Sequence, residues 1–193
     1  MNTQRNQDRA TRFDGMLSRL AVATAEASDP SVDDVVGELL RAVREVLEMD
    51  VAFVSEFSSG RRVFRHVDHA PDVHALLAAG GSNPLEESFC KQVIDGRLPE
   101  LVRDVARLPN LAQLPPVAFP IGAHLSTPIL LADGSIYGTL CCFSFAPDEA
   151  LTERDLKRLR MTAQMLGRLI DRMRSKEHGR AAPSADRFAG PHA

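Results

Sequence analysis

The chain has 193 residues, of which 44% are hydrophobic and 25% charged, with a formal net charge of −3; this suits one ordinary globular domain with flanking segments. That charge gives no global electrostatic case for nucleic acid or an anionic membrane, and no apolar run approaches the about 18 residues that span a bilayer. A single Tyr and no Trp offer few faces for stacking single-stranded nucleic acid.

In chain order, residues 1–11 carry no periodic pattern and are expected to be disordered. From Arg12 to Ala27, Phe13, Met16, Leu17, Leu20 and Ala21 recur at helical spacing. Ser28-Asp29-Pro30 interrupts that helix. Ser31 with Asp34 resembles a capping pair for a second helix over Val32–Glu48, with a buried stripe of Val35, Val36, Leu39, Leu40, Val43 and Leu47. Two β-rich runs around Ser58-Ser59-Gly60 read as a hairpin. After a poorly patterned stretch, Asn83-Pro84 predicts a helix start that runs to Asp95 and stops at Gly96. "PELVRDV" is a short strand candidate, and "ARLPNLAQLPPVAFPIG", with its prolines, cannot be one long regular element. "AHLSTPILL" and "SIYGTLCCFSF" read as strands joined by a two-residue turn at Asp133-Gly134. Thr152 and Asp155 cap a last helix, along which Leu156, Leu159, Ala163, Leu166, Ile170 and Met173 are 3, 4, 3, 4 and 3 residues apart, an a/d seam. Residues 175–193 turn polar and small and are expected to be a flexible tail. Strands cluster and helices sit at both ends: an α+β chain with an antiparallel sheet, terminal helices on one face, and the middle segment over part of the other.

The N-terminal stretch is polar and lacks a signal-peptide core, so the cytoplasm is the expected location. The three cysteines form no zinc-like double pair, and in that compartment they are expected to be reduced.

The segment "AFPIGAHLSTPILLADGSIYGTLCCFSFAPDEALTERDLKRLRMTAQMLGRLI" resembles the C-terminal half of a GAF domain, and "SFCKQVIDGRLPELVRDV" resembles the helix and short strand before it. The order and spacing of these words carry the likeness, which covers about Phe13 to Arg174. The "Y-G-T-L-C-C" wording is most similar to GAF domains that sense signals upstream of output modules. The resemblance implies a six-stranded antiparallel sheet and a small-molecule pocket between the sheet and the middle segment. It also implies a homodimer formed through the terminal helices and signalling to a partner protein; it names no cofactor. Residues 12–174 are the expected sensor domain.

Cys141 and Cys142 are adjacent on a strand, so their side chains are expected on opposite faces, as wall material rather than a metal site. Counting outward from Asp133-Gly134, Ser126 lies opposite Cys141. Tyr137, Thr139 and Cys141 then share a face with His124 and Ser126, and that more polar face is expected to be the pocket side. Cys90, beside Phe89 in the helix after Asn83, either touches a ligand or packs in the core. Phe53, Ser55 and Arg65 complete the candidate ligand-binding set of Phe53, Ser55, Arg65, Phe89, Cys90, His124, Ser126, Tyr137 and Cys141. Arg65, mid-strand between Val63 and Val67, has three open roles: an anionic ligand, a pair with Glu56, or an exposed edge.

Catalysis is not expected. His124 and Ser126 have no evident orienting carboxylate, and same-strand neighbours rarely form a hydrolytic pair. GAF-type methionine sulfoxide reductases use cysteines near Cys90 and in the following loop, where this chain has none. That enzyme stays an alternative, as does a dimerisation module with a vestigial pocket. No Cys-His dipeptide suggests a covalent bilin. His66, His69 and His74 match no established metal-ligand spacing, and no metal is expected. The many arginines of the last helix read as its solvated side rather than a nucleic-acid face.

Overall fold

The computed structural model describes residues 32–73 and 77–181, together with residues 7, 8, 11 and 15. The first expected helix, over Arg12–Ala27, lies outside the described residues apart from Gly15, as does His74.

Helix α1 (Val32–Leu47) buries Val36, Leu39, Leu40, Val43 and Leu47 along one face. It stops at Glu48, whose φ of 55° is the left-handed step that ends many helices. Strands β1 (Val51–Ser58) and β2 (Arg61–His69) follow. Their turn has positive φ at both Ser59 and Gly60, 50° and 72°, the mirror-image turn whose twist matches a hairpin.

The next segment departs from expectation. Ser82–Pro84 pairs with β2 as the edge strand β3, which the proline tolerates because an edge leaves its missing N–H unneeded. The Asn83 side chain is occupied by Arg62 and caps nothing. After one 3-10 turn at Leu85–Glu87, the helix α2 spans only Phe89–Ile94, with Ser88 as its cap. Strand β4 (Leu101–Val102) precedes two more 3-10 turns, and β5 (Ala123–Leu130), β6 (Ile136–Ser144) and α3 (Glu153–Ala181) complete the described residues. The Asp155 carboxylate accepts the Thr152 N–H at 2.9 Å and its hydroxyl at 2.7 Å, fixing the start of α3 as the capping pair predicts. The helix runs on to Ala181, past Arg174 where the polar composition marks its expected end.

The six strands lie in the order β3-β2-β1-β6-β5-β4, with antiparallel pairing throughout. β1 and β6 are central. Helices α1 and α3 cover one face, where Leu40, Leu47, Val54, Leu125, Leu140, Cys142 and Leu159 form the main core. Residues 71–73 and 77–122, strands β3 and β4 apart, cover the other face over Val51, Phe53, Phe64, Cys90, Cys141 and Phe143. The first half of the α3 seam is therefore spent on the sheet: Leu156, Leu159, Ala163 and Leu166 are all buried. α3 lies so close that a Cβ on Gly167 would stand 2.2 Å from the Leu130 carbonyl oxygen.

Gly138 is as constrained. A Cβ there would lie 1.8 Å from the Ser55 carbonyl oxygen and 2.9 Å from the Glu56 Cα. Both neighbours are backbone of a central strand and cannot step aside. Gly138→Ala is expected to cost about 3 kcal/mol, the upper end of overpacking effects. Urea denaturation followed by circular dichroism checks this as a lowered midpoint; an unchanged midpoint would contradict the close approach.

Candidate functional site

Two single-residue irregularities decide which side chains meet. Between β1 and β2 the pairing steps from Val54↔His66 to Ser55↔Phe64, so Arg65 is an extra residue. Between β5 and β6 it steps from Ile129↔Gly138 to Leu130↔Ile136, so Tyr137 is an extra residue. Each is a β-bulge, which re-aims a side chain. Strict alternation from Val67 and from Cys141 puts Arg65 and Tyr137 on the pocket face; the bulges turn both toward the helices.

There they converge on Glu56. Arg65 Nε donates to Glu56 Oε2 at 2.6 Å, Arg174 Nη2 donates to Oε1 at 3.3 Å, and the Arg174 guanidinium stacks 5.2 Å from the Tyr137 ring centre. The bond to Glu56 raises the Arg65 pKa, and burial raises that of Tyr137. These side chains line a cavity of about 490 Å³ between α1, α3 and the sheet, with Val36, Val54, Leu166 and Ile170 as its apolar wall. Of the three roles open to Arg65, the structure shows the pair with Glu56.

The face turned away from the helices holds most of the other expected residues. Phe53, Phe89, His124 and Cys141 border a small cavity of about 30 Å³ together with Arg62 and Phe143, under Leu77, Val117, Phe119 and Ile121. A connected set of polar atoms runs through this apolar region. Ser55 Oγ and Thr139 Oγ1 are 2.9 Å apart. Arg62 Nη1 donates to Cys90 Sγ at 3.2 Å, and Cys141 Sγ is 3.3 Å from His124 Nε2. Burial opposes ionisation of Cys90, but the Cys141 thiol, the Arg62 charge and the Thr139 hydroxyl outweigh it and hold its pKa well below the ordinary thiol value. Cys141 is pushed well above that value by burial and by the Cys90 sulfur beside it. Cys142 points to the helix-side core, where burial pushes its pKa up.

Ser126 pairs with Cys141 as the count from the turn predicts, yet the turn itself differs. The Leu131 N–H bonds to the Ser135 oxygen, and Gly134 has a φ of 81°, so the connection is a three-residue loop with a left-handed glycine. That shifts the pairing by one residue, and the Tyr137 bulge shifts it back. Ser126 Oγ is buried without a hydrogen-bond partner, as is His124 Nδ1. Ser55 faces the same side, but its hydroxyl is taken by Thr139. His66 turns to Asp33 of α1 at 3.6 Å rather than toward His69.

The residue that the sequence pattern does not single out is Arg62. Beside a hairpin turn and next to another arginine, it reads as an exposed charge. The available signal was its position two residues before Phe64, which places both on one face. Its guanidinium lies 4.7 Å from the Phe64 ring centre and 5.6 Å from that of Phe53, and Nε donates to Asn83 Oδ1 at 3.0 Å.

Burial, helped by the Arg62 charge, lowers the His124 pKa from 6.5 to about 3. The folded state therefore holds a neutral imidazole, while the unfolded chain binds a proton once the pH falls below 6.5. Stability is full above that pH and is lost as the pH falls toward the folded value, with a slope of up to about 1.4 kcal/mol per pH unit. Denaturant titrations from pH 7 to about 5, a window set by the unperturbed histidine and carboxylate ranges, are expected to show this slope in the native protein and a shallower one in His124→Gln, the remainder coming from His66, whose pKa burial also lowers. Equal slopes in the two proteins would mean that His124 is solvated.

A profile of the GAF domain matches residues 29–171. Over 171 residues the chain is 26% identical to the diguanylate cyclase DgcP of Escherichia coli (strain K12), a match covering 85% of this chain and 47% of that protein. The chain thus spans about half the length of this curated relative. The GAF domain of a phosphoenolpyruvate-protein phosphotransferase from Coxiella burnetii superposes with a TM-score of 0.69 at 13% identity, over 89% of this chain and 98% of that one. The free methionine-R-sulfoxide reductase of Neisseria meningitidis, solved with its substrate, gives a TM-score of 0.67 at 18% identity, over 88% and 94%. At these identities the structural likenesses establish the fold. GAF domains occur in sensor and signalling proteins. The six-stranded antiparallel sheet, its helix-covered and loop-covered faces, and the matched span from 29 to 171 together place this chain in the GAF domain family.

Proposed function

We propose that this chain is a non-enzymatic sensor domain that binds a small molecule between the sheet and the segment covering it, dimerises through its terminal helices, and passes the signal to a partner protein in the cytoplasm. The carrying observation is His124 Nδ1, buried without a hydrogen-bond partner on a residue that borders the small cavity; Ser126 Oγ and His69 Nε2 are likewise without partners among the described residues. Orphans of this kind are rare in folded proteins because each costs desolvation energy. A ligand that hydrogen-bonds His124 relieves part of that cost. The aromatic walls of Phe53, Phe89, Phe119 and Phe143 with the Arg62 cation suit a planar, largely apolar molecule bearing an acceptor or negative charge.

The cavity of about 30 Å³ holds little more than one or two waters. Binding therefore requires the cover to move, and its build allows that. Residues 103–122 contain two three-residue 3-10 turns and no strand or longer helix. The same small volume favours a second reading, a dimerisation module whose pocket is filled by its own side chains. Methionine sulfoxide reduction is the less supported alternative, since residues 97–122 contain no cysteine.

A thermal-shift titration with nucleotides, aromatic carboxylates, tetrapyrroles and fatty acids separates the first two. The sensor reading expects a dose-dependent rise in melting temperature, since a ligand bound only by the folded state stabilises it. That rise should be lost in Arg62→Gln. Indifference to every class favours the filled module.

The dimer reading has its own test. Because the a/d seam of α3 faces the sheet, a partner helix must use another stripe. Met161 and Met165 are 46% and 41% exposed one turn apart on α3. A double Met161→Glu, Met165→Glu variant is expected to run as a monomer in light scattering after gel filtration, with unchanged circular dichroism. Persistence of the dimer would place the interface elsewhere.

A further inference from the structure

The cavity of about 490 Å³ between α1, α3 and the sheet lies on the opposite face from the one that the sensor reading uses. Its volume falls within the range of about 300–1,000 Å³ typical of small-molecule sites. The lining has two parts of different chemistry. Val36 of α1, Val54 of β1, and Leu166, Ile170 and Met173 of α3 make an aliphatic wall. Glu56, Arg65, Tyr137 and Arg174 make a polar cluster beside it, with His66 and Asp33.

In that cluster two guanidiniums share the one carboxylate of Glu56. Arg65 holds it through Nε at 2.6 Å and through Nη2. Arg174 reaches it only at 3.3 Å, longer than the about 2.7–2.9 Å of a strong charge-assisted bond. A carboxylate accepts at about four sites and each guanidinium carries about five N–H donors, so donors outnumber acceptors around Glu56. Stacking on the Tyr137 ring, 5.2 Å from its centre, keeps the Arg174 cation within the lining. Asp33 is the other acid of the lining, but its side chain is 79% exposed and its contact is with His66 at 3.6 Å, so water and salt screen it. Burial lowers the His66 pKa, so that imidazole adds no charge at neutral pH.

We propose that this cavity is a second ligand site, one that takes a medium-chain aliphatic carboxylate, with its chain along Val36, Val54, Leu166 and Ile170 and its anionic head on Arg174. The proposal goes beyond the sensor reading and does not rest on it. The aliphatic body follows from the wall. Four phenylalanines border the small cavity on the other face; here Tyr137 is the one Phe, Tyr or Trp among the described lining residues, and its ring already carries Arg174. The anionic head follows from the surplus of donors. A ligand carboxylate takes over the long contact of Arg174 and leaves Glu56 to Arg65, so the bond that is exchanged is the weaker of the two.

The test titrates the folded full-length chain, labelled at its Ile, Leu and Val methyls, with sodium decanoate below the micelle-forming concentration and follows it by NMR. Saturable shifts are expected at Val36, Val54, Leu166 and Ile170, while Val117 and Ile121, which border the small cavity on the other face, stay unmoved. Octanoate, shorter by two methylenes, should bind roughly tenfold more weakly. Decanol, which keeps the chain and loses the charge, should also bind roughly tenfold more weakly. Arg174→Gln should weaken decanoate roughly tenfold, the share of one charge-assisted hydrogen bond, and leave decanol unchanged; Arg174→Lys should restore part of the loss. Shifts confined to Val117 and Ile121 would overturn this proposal while supporting the sensor reading. No saturable shift at all, the outcome if the amino-terminal segment or a second copy fills the space, would also overturn it, as would equal binding of decanol and decanoate. The titration of unsubstituted protein decides the matter even where a variant folds poorly.

Discussion

Strands β1 and β6 are covered on both faces, and the rest of the molecule is organised around that constraint. Val51 to Ser55 and Gly138 to Ser144 are all buried. Every polar side chain on them must therefore find its partner inside the protein or bear the cost of leaving water. Ser55 takes Thr139 across the β1–β6 seam, and Cys141 takes His124 across the β5–β6 seam. Glu56, at the end of the buried run, draws Arg65 and Arg174 onto itself. The backbone meets the same demand: Gly138 lets the two strands approach so closely that no side chain fits between them. The interior of the sheet is thus wired by cross-strand pairs, and the orphaned atoms of His69, His124 and Ser126 stand out against that background.

Much of the fold was legible in the sequence because it depends on period and punctuation. The stripe of α1, the β1–β2 turn at Ser59-Gly60, and the Thr152–Asp155 cap of α3 are local signals that nothing in the tertiary structure overrides. β3 was not legible. Three residues ending in proline look like the start of a helix, and only pairing with β2 makes them a strand. The site was legible in part for a different reason. Phe53, Phe89, His124 and Cys141 come together as expected because they lie where alternation is unbroken or within α2. Arg65 and Tyr137 do not, since one extra residue in a strand reverses every parity count that crosses it. No local signal marks either bulge. Arg62 carries no such signal, because a charge beside a turn is usually solvated and its aromatic surroundings include Phe53 on the neighbouring strand as well as Phe64 on its own.

Membership of the GAF family fixes the architecture and leaves the chemistry of the covered face particular to this chain. That face combines a cation, two thiols and an imidazole in a space too small for a metabolite in the form described. The volume on the helix side is far larger, but it lies under the terminal helices rather than beneath the cover. Its polar rim is built from the side chains that the bulges redirect. The two faces therefore differ in kind: one is nearly closed and holds Cys90 and Cys141, and the other is open and lined by an ion-paired glutamate. Among the described residues no helix is long and apolar enough to cross a membrane.

The contact at Gly167 bears on how a change in the sheet would travel. Most helices rest on a sheet through side chains, which can rock between rotamers and absorb small shifts. Here the α3 backbone rests on the Leu130 carbonyl with no such cushion. Leu130 ends the strand that carries His124 and Ser126. A slide of β5 along its own axis would push α3 as a rod pushes a rigid stop, so the helix acts as a stiff lever whose far end reaches Ala181.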